Sequence, residues 1–302
     1  MTAGITPSVS FEFFPPKSIG ASFGLLDTLH TLSPFRPKFV SVTYGANGSA
    51  RDLTRDMSQS IAKRLPVEVA AHLTCVGASR EEVIGVADAY FNAGIRQIVA
   101  LRGDAQPGAG RFVPSQNGFA NSIELVAGLA RRGFKRIWVG AYPEPHPDAT
   151  HDGADIDWLK RKVDAGATGA ITQFFFDPEV FLRFRDKCVS AGIDIPIIPG
   201  VLPIDKWETA RRFAKRCGAT IPVGLEREFA MARRNGVEDI LSVVVATDIC
   251  ATLMEEGVDR FHFYTLNRSR PTRDVCVALG LRADDAGMAT THGDAAPVFP
   301  SA

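Results

Sequence analysis

The stretch NAGIRQIVALRGD, Asn92 to Asp104, decides the fold because it contains a complete junction of a parallel α/β unit. Its first three residues are small-residue punctuation of the kind that caps the end of a helix. An apolar strand candidate, Gln97–Leu101, follows at once and ends on polar Arg102 and Asp104. A helix end, a buried strand and a polar strand end, in this order, are typical of a repeated βα unit.

The same junction recurs along the chain, with DAGA beginning at Asp164 and SAGI beginning at Ser190. The β-branched and aromatic runs that predict strands are Val9–Phe13, Phe39–Thr43, Val69–Thr74, Gln97–Leu101, Arg136–Tyr142, Ala170–Phe175, Ile195–Pro199 and Arg260–Tyr264. The segments with helical period between them include Ser79–Asn92, Asn121–Arg132, Pro178–Ser190 and Ile204–Lys215. About eight strands alternating with helices predict a (β/α)8 barrel.

Val237–Glu256 is a long helix candidate, and the interval between the last two strands is longer than the others, so we predict an extra helix there. After Leu281 the chain is rich in Ala, Gly, Asp and Thr and has no apolar period. We therefore predict an α/β fold, a single (β/α)8 TIM barrel with an extra helix over residues 1–281, and a flexible, disordered tail over residues 282–302.

Composition excludes several classes of protein. The chain has 302 residues, 45% hydrophobic and 23% charged, and 34 Lys and Arg balance 34 Asp and Glu, so no polyanion partner such as nucleic acid is indicated. The five cysteines are scattered, the stretch MTAGITPS has no basic region followed by an apolar one, and no apolar run reaches roughly 18 residues. These features predict a cytoplasmic protein with reduced thiols and no membrane contact.

Common catalytic motifs are also missing from the sequence. It has no GxGxxG after a strand, no GxxxxGK[ST], no GxSxG, no HExxH and no Cys/His cluster. A Rossmann dehydrogenase, a P-loop NTPase, a serine hydrolase and a zinc enzyme are therefore disfavoured. His72, His146 and His262 lack a ligand pattern, so we predict no metal site.

The segment SFEFFPPK, Ser10 to Lys17, places one acid among aromatic residues at the end of the first strand. Strand alternation turns Phe11 and Phe13 towards the helices and Glu12 towards the barrel mouth, where the chemistry of such barrels collects. We expect apolar surroundings to raise the pKa of Glu12 enough to keep it protonated near neutral pH.

Other strand ends carry polar groups whose roles the residues alone leave open. In VALRGD, Arg102 and Gly103 suit a phosphate, while Asp104 either faces the same ligand or pairs with Arg102, the pair being slightly favoured. In ITQFFFD, Gln173 suits the edge of a heterocyclic ring or a structural hydrogen bond about equally.

Two further motifs have similar alternatives. AYPEPHP, Ala141 to Pro147, is a proline-stiffened loop that suits a large planar ligand or simply adds stability. The basic run of LKRKVDAGA, which begins at Leu159, is either a solvated helix face or a phosphate contact.

In their order, the stretches SFEFFPPK, FVSVTYGANGS, HLTC, IVALRGD, AYPEPHP, KRKVDAGA, ITQFFFD, IIPGVLP and HFYTLNR resemble bacterial methylenetetrahydrofolate reductases. The resemblance runs from about Ser10 to about Leu281. It implies a barrel that carries FAD, takes a hydride from NADH or NADPH in a ping-pong reaction, and reduces 5,10-methylenetetrahydrofolate to 5-methyltetrahydrofolate for methionine biosynthesis.

The resemblance also implies roles for individual residues. Glu12 matches an acid that helps to protonate the folate, so that its five-membered ring opens to an iminium, and Asp104 matches a carboxylate near the flavin and pterin. Gln173 and Phe213 match folate contacts. The positions that match the surroundings of FAD are Thr43, His72, Arg102, Gly103, Asp104, Tyr142, His146, Asp155, Arg161 and Lys162.

The resemblance departs at two positions, Trp158 in place of an asparagine near the FAD and Thr209 in place of a folate-contacting glutamine. Three alternatives remain open: a pterin-binding barrel methyltransferase, a flavin-independent folate reductase, and a folate-binding protein without catalysis. The sequence leaves the oligomeric state open, a homo-oligomer included, and does not decide between NADH and NADPH.

Overall fold

The computed structural model describes residues 6–16, 18–44, 51–104, 112–149 and 151–283. Within them the strands are β1 (Ser8–Phe13), β2 (Val40–Val42), β3 (Val69–Thr74), β4 (Gln97–Leu101), β5 (Arg136–Ala141), β6 (Gly169–Thr172), β7 (Ile197–Ile198), β8 (Gly200–Val201) and β9 (Arg260–Tyr264). The helices are α1 (Ile19–Leu32), α2 (Arg51–Arg64), α3 (Arg80–Asn92), α4 (Ser122–Arg131), α5 (Ala154–Asp164), α6 (Pro178–Ser190), α7 (Trp207–Cys217), α8 (Leu225–Arg234), α9 (Glu238–Glu255) and α10 (Ser269–Ala278).

All strand pairs are parallel, in the order β7-β6-β5-β4-β3-β2-β1-β9-β8. β7 and β8 are the two halves of one barrel strand, because only Pro199 separates them. Proline has no N–H to donate to a ladder, although the Pro199 carbonyl still accepts a bond from the His262 amide at 3.0 Å. The predicted single strand Ile195–Pro199 is therefore interrupted and shifted, and the two halves nearly close the predicted (β/α)8 barrel.

Most predicted elements are confirmed, with small shifts at their ends. β3, β4, β9 and α6 have the predicted bounds, and the helix predicted over Ile204–Lys215 is α7. The glycines of the three small-residue junctions, Gly94, Gly166 and Gly192, all have positive φ, as helix-terminating glycines require. The long helix predicted over Val237–Glu256 is α9, and the interval before β9 also contains α8, which the sequence patterns did not predict.

Because side chains alternate between the two faces of each strand, the core is divided into a layer outside the barrel and a layer inside it. Phe11, Phe13 and Phe263 are fully buried between the strands and the surrounding helices. Inside the barrel a separate apolar layer contains Phe39, Ala70, Val99 and Ile171. This layer is the floor on which the side chains at the carboxyl ends of the strands rest.

The tail predicted over residues 282–302 falls outside the described residues from residue 284 onward.

Candidate active site

Glu12 is held at the end of β1 by the loop that follows β9. The Thr265 hydroxyl donates a hydrogen bond to the Glu12 carbonyl at 2.6 Å. The Asn267 amide accepts from the Phe14 N–H at 2.8 Å and donates to the Phe14 carbonyl at 3.0 Å. Just beyond β1, the side chain of Asn267 therefore takes the place of the backbone hydrogen bonds that a neighbouring strand would make. The side chain of Glu12 keeps 16% of its exposure, so it still reaches the barrel mouth.

Two imidazoles from other strands meet the Glu12 carboxylate. His72 Nε2 on β3 lies 3.2 Å from Glu12 Oε2, and His262 Nε2 on β9 lies 3.6 Å from the same oxygen. The other ring nitrogen of His262, Nδ1, lies 2.8 Å from the Ser10 hydroxyl. Ser10, His262, Glu12 and His72, which we call the acid–imidazole cluster, therefore lie together inside the barrel, although neither Nε2 atom has hydrogen-bond geometry with the carboxylate.

This cluster corrects the expected pKa of Glu12. Burial is the largest single influence and by itself raises the pKa, but the electrostatic interactions with His72 and His262 together outweigh it and lower the pKa of Glu12 to about 2. The expectation of a raised pKa is therefore wrong. The expectation took the sequence neighbours Phe11 and Phe13 as the surroundings of the carboxylate. In the structure these rings face the helices, and the side chains that contact the carboxylate are the imidazoles of His72 and His262.

The floor beneath the cluster is aromatic. The Phe39 ring stacks on Trp138 at 5.0 Å and on His262 at 5.7 Å. Beside them, the Tyr264 hydroxyl donates to the Thr172 carbonyl at 2.7 Å, and burial together with the nearby Glu12 charge raises the pKa of this hydroxyl well above its usual range. Tyr264 is therefore a neutral wall of the site, and the acid–imidazole cluster is closed from below.

At the end of β4 the chain turns sharply. Gly103 has φ +87°, and a Cβ there would lie 2.6 Å from Val76 Cγ1, so only glycine fits without a shift. The ion pair between Arg102 and Asp104 that the sequence slightly favours is not formed among the described residues. Arg102 pairs instead with Asp148 at 2.8 Å, and Asp104 is exposed at the mouth.

Two hydrogen bonds anchor the proline-stiffened loop after β5. Glu144 accepts a hydrogen bond from the Thr220 amide at 2.9 Å, and Asp155 on α5 accepts one from the His146 amide at 3.0 Å. The Tyr142 ring meets His146 edge-on at 4.6 Å. Burial raises the pKa of Tyr142 to about 12 and, with the positive charge of Arg102, lowers the pKa of His146. Two neutral rings therefore line this wall.

The three basic residues of α5 have three different environments. Lys160 pairs with Asp164 at 2.7 Å on the surface. The guanidinium of Arg161 lies 4.6 Å above the Trp158 ring. Lys162 is turned inward, where its ammonium donates to the Gly140 carbonyl at 2.8 Å, and burial lowers its pKa to about 8. Lys162 is therefore a largely desolvated cation beside Arg102, placed to accept an anion.

Several polar atoms near the mouth lack partners. The hydroxyls of Thr43, after β2, and Thr74, on β3, are buried without a hydrogen bond. A buried polar atom without a partner is costly, so these atoms suit a bound ligand that supplies one. Together with Lys162 they fit a planar, polar-edged ring that carries a phosphate group, which is the chemistry of a flavin nucleotide.

A pocket of about 290 Å³ adjoins the mouth on the other side. It contains two residues singled out in the sequence, Phe213 and Thr209, and its lining also includes Phe14, Leu202, Ile204, Lys206, Leu266 and Arg268. Gln173 lies at the end of β6, where its Oε1 accepts from the Phe174 amide at 3.1 Å. Its NH2 group bonds no described residue, so it can donate to a ligand.

Sequence reasoning missed part of this site. His262, Ser10, Phe14 and Arg268 belong to it, yet they stand inside stretches quoted for other reasons. The available signal was the position of His262 on the inward face of β9 and of Arg268 just beyond its end. Of the predicted residues, Thr43, Glu12 and His72 cluster at β1–β3, while those at the ends of β4 and β5 and on α5 form a second group.

The fold and the site define a (β/α)8 barrel whose mouth holds a largely buried carboxylate, Glu12, and a pair of cations, Arg102 and Lys162, which we call the cationic cradle. Among the described residues, no group of three or more His, Cys, Asp or Glu side chains could hold a metal ion, and no helix is long and apolar enough to cross a membrane.

Residues 3–280 match the family of methylenetetrahydrofolate reductase. The chain is 46% identical over 276 residues to the 5,10-methylenetetrahydrofolate reductase of Salmonella typhimurium, covering 91% of each chain. It is 45% identical over 281 residues to that of Escherichia coli, again covering 91% of each. The chain belongs to the methylenetetrahydrofolate reductase family.

One solved structure supports the fold independently. It is titled an uncharacterized protein from Clostridium thermocellum that binds two copies of 5-methyl-5,6,7,8-tetrahydrofolic acid, and it matches with a TM-score of 0.61 over 91% of this chain and 94% of that chain. At 15% identity this likeness shows the barrel alone.

Proposed function

We propose that this protein is an FAD-dependent methylenetetrahydrofolate reductase that takes electrons from NADH or NADPH and converts 5,10-methylenetetrahydrofolate to 5-methyltetrahydrofolate, in the service of methionine biosynthesis. The observation that carries the proposal is the position of Glu12. In a chain of this family, its carboxylate lies at the end of β1 against two imidazoles, two residues before Phe14, which lines the pocket that contains Phe213.

The cradle fits FAD. Lys162 and Arg102 would hold the diphosphate, the Gly103 corner lets a ring approach the backbone closely, and the Thr43 and Thr74 hydroxyls would gain partners at the edge of the isoalloxazine. His72, Tyr142, His146, Asp155 and Arg161 complete this surface. When bound, FAD supplies a two-electron carrier that lets the nicotinamide and the folate use one site in turn.

The pocket suits the folate. Phe14 and Phe213 offer apolar surfaces to an aminobenzoyl ring, and Lys206 and Arg268 place cations near the rim for the glutamyl carboxylates. Gln173 would donate to the pterin edge, and the exposed charge of Asp104 would steady the cationic iminium form of the substrate.

The acid–imidazole cluster would supply the proton that the folate needs. His72 and His262 hold the pKa of Glu12 low, so Glu12 would pass a proton on rather than store one, and the two imidazoles are the described groups placed closest to exchange it. Both rings contact the same carboxylate oxygen, so transfer requires no large movement. The aromatic floor and the neutral Tyr264 keep bulk water away from this exchange.

An anaerobic titration of the reconstituted protein tests the proposal. We expect NADH or NADPH to bleach the flavin and 5,10-methylenetetrahydrofolate then to restore its colour, with 5-methyltetrahydrofolate formed in equal amount. Folate-dependent NADH oxidation by protein that binds no flavin would support the flavin-independent reductase instead. Methyl transfer without any need for NADH would support the methyltransferase.

A further inference from the structure

We propose that Trp158 is the stacking platform for the adenine of the bound dinucleotide, so that it selects FAD over FMN. The inference deepens the proposed function and rests on it. It begins from the surface position of an aromatic ring that the fold does not use. Trp158 is 38% exposed, whereas Trp207 is buried and stacks on Phe229 at 4.5 Å.

The helix places Trp158 beside the cradle. Residues three and four apart share a face of an α-helix, so Asp155, Trp158 and Lys162 form one stripe along α5. Asp155 braces the His146 loop and Lys162 reaches into the barrel wall at Gly140. A ligand held by Lys162 therefore has the Trp158 ring about one helical turn away, or roughly 6 Å along the axis.

The shape of the ligand sets which end meets Trp158. In FAD the diphosphate separates the isoalloxazine from the adenosine. The isoalloxazine must lie at the barrel mouth, near Glu12 and the unpartnered Thr43 and Thr74 hydroxyls, if it is to react with folate. With the diphosphate at Lys162, the adenosine has to leave the mouth outward, over α5 and towards Trp158.

The surface around Trp158 can receive a base. A shallow cavity of about 430 Å³ there is lined by Trp158, His151, Ala154, Asp157, Lys160 and Arg161. The guanidinium of Arg161 lies over one part of the indole at 4.6 Å, which pre-orients the ring and adds a cation close to the diphosphate. Aromatic side chains stack on any nucleobase, and such a contact strengthens binding by roughly five- to a hundredfold per base.

The test compares two flavins on three proteins. Dissociation constants of FAD and FMN are measured by titration calorimetry for the wild type, Trp158→Phe and Trp158→Ala, with thermal unfolding as a check that each variant is folded. We expect Trp158→Ala to weaken FAD about tenfold and to change FMN less than about twofold, because FMN has no adenine. Trp158→Phe, which keeps a ring, should lose no more than about threefold for FAD.

The outcomes separate the two proposals. If the wild type binds both flavins and Trp158→Ala binds FAD as tightly, or loses FMN and FAD equally, the stacking role is wrong while the flavin-dependent function stands. If the wild type binds neither flavin, both proposals fall.

Discussion

Two charged side chains are buried at this barrel mouth, and they are compensated in opposite ways. Glu12 lies against His72 and His262, and these partners lower its pKa to about 2 in spite of burial. Lys162 has a carbonyl as its hydrogen-bond partner, and burial lowers its pKa to about 8. The carboxylate is thus stabilised in its charged form by the protein, whereas the ammonium is destabilised in its charged form.

The difference indicates which charge awaits a ligand. A buried ion needs opposite charge nearby, and Glu12 obtains it from its own chain. Asp155 is the carboxylate that favours the charged form of Lys162, but it does not outweigh burial and the nearby Arg102. An incoming diphosphate would supply what is missing. Glu12 is therefore built to exchange a proton, and Lys162 to bind an anion.

The largest expected effect comes from removing the carboxylate. Glu12→Gln should slow reoxidation of the reduced flavin by 5,10-methylenetetrahydrofolate by about 10²–10⁴-fold, since no carboxylate remains to carry the proton from the imidazoles. Stopped-flow spectroscopy follows this step. Reduction of the flavin by NADH, measured in the same preparation, serves as the control and should change little. Equal slowing of both half-reactions would contradict the proton-transfer role.

The next effect concerns His262, a positioning and proton-supplying residue behind Glu12. His262→Gln should slow the folate half-reaction about a hundredfold and alter its pH profile, because His262 is one of the two groups that lower the pKa of Glu12. Ser10→Ala, which removes only the 2.8 Å partner of His262 Nδ1, should cause a smaller change of the same kind. Unchanged pH profiles in both variants would show that Ser10 and His262 have only a packing role. The Tyr264 hydroxyl cannot cause a change in the profile, because its raised pKa keeps it neutral.

A smaller effect should follow from neutralising the cradle. Lys162→Met should weaken FAD binding about ten- to a hundredfold, since a charge-assisted contact to phosphate is lost from a desolvated position. Lys162→Arg keeps the charge and is the matched control, with an expected loss of less than about tenfold. Calorimetric titration of the apoprotein measures both. Equal losses in the two variants would indicate that the shape of Lys162, and not its charge, matters.

The lowered pKa of Lys162 predicts a pH dependence with a definite sign. Below about pH 8 the ammonium is already protonated, so FAD affinity should be flat. Above pH 8 binding must take up a proton, and affinity should fall by up to about tenfold per pH unit until the pKa of the bound state is reached. FAD dissociation constants measured from pH 6.5 to about pH 9.5 test this. In Lys162→Arg the fall should disappear, and a fall that persists there would assign it to another group.

Sequence predicted the barrel because its signals are local. The glycines of the NAGI, DAGA and SAGI junctions end helices through their own backbone freedom, and the strands between junctions are apolar runs. The one strand that was misplaced, Ile195–Pro199, failed because Pro199 divides it into β7 and β8. The sequence shows a proline there, but the chain resumes as a strand at Gly200 only because it pairs with β9, which is distant in the sequence.

The site was harder to predict because its chemistry comes from across the barrel. The sequence around Glu12 shows aromatic neighbours, and these suggested a raised pKa. His72 and His262 are distant in the chain, and the Ser10–His262 contact spans 252 residues. In the same way, one pocket joins Phe14, Phe213 and Arg268, which no spacing rule connects. Local patterns identify candidate residues, whereas the charges that tune them depend on strand register.

The smallest expected effect is on stability, where the two buried charges should act with opposite signs. Without cofactor at pH 7, Glu12→Gln should lower the free energy of unfolding by about 1–2 kcal/mol, since the interactions that depress the pKa of Glu12 are lost, and Lys162→Met should raise it by a similar amount. The folded-state pKa of Glu12 is depressed, so its contribution is present above about pH 4.5 and is lost as the pH falls towards 2. The folded-state pKa of Lys162 is also depressed, but for a base a depressed pKa means that the charged group destabilises the fold. This destabilisation is fully present below about pH 8 and is lost as the pH rises towards 10.5. Urea unfolding at pH 7 and near pH 10 should therefore show that the gain in stability of Lys162→Met is smaller at the higher pH. A Lys162→Met protein that is less stable than the wild type at pH 7 would contradict this prediction. It would mean that losing the hydrogen bond to Gly140 costs more than the removal of a desolvated charge returns.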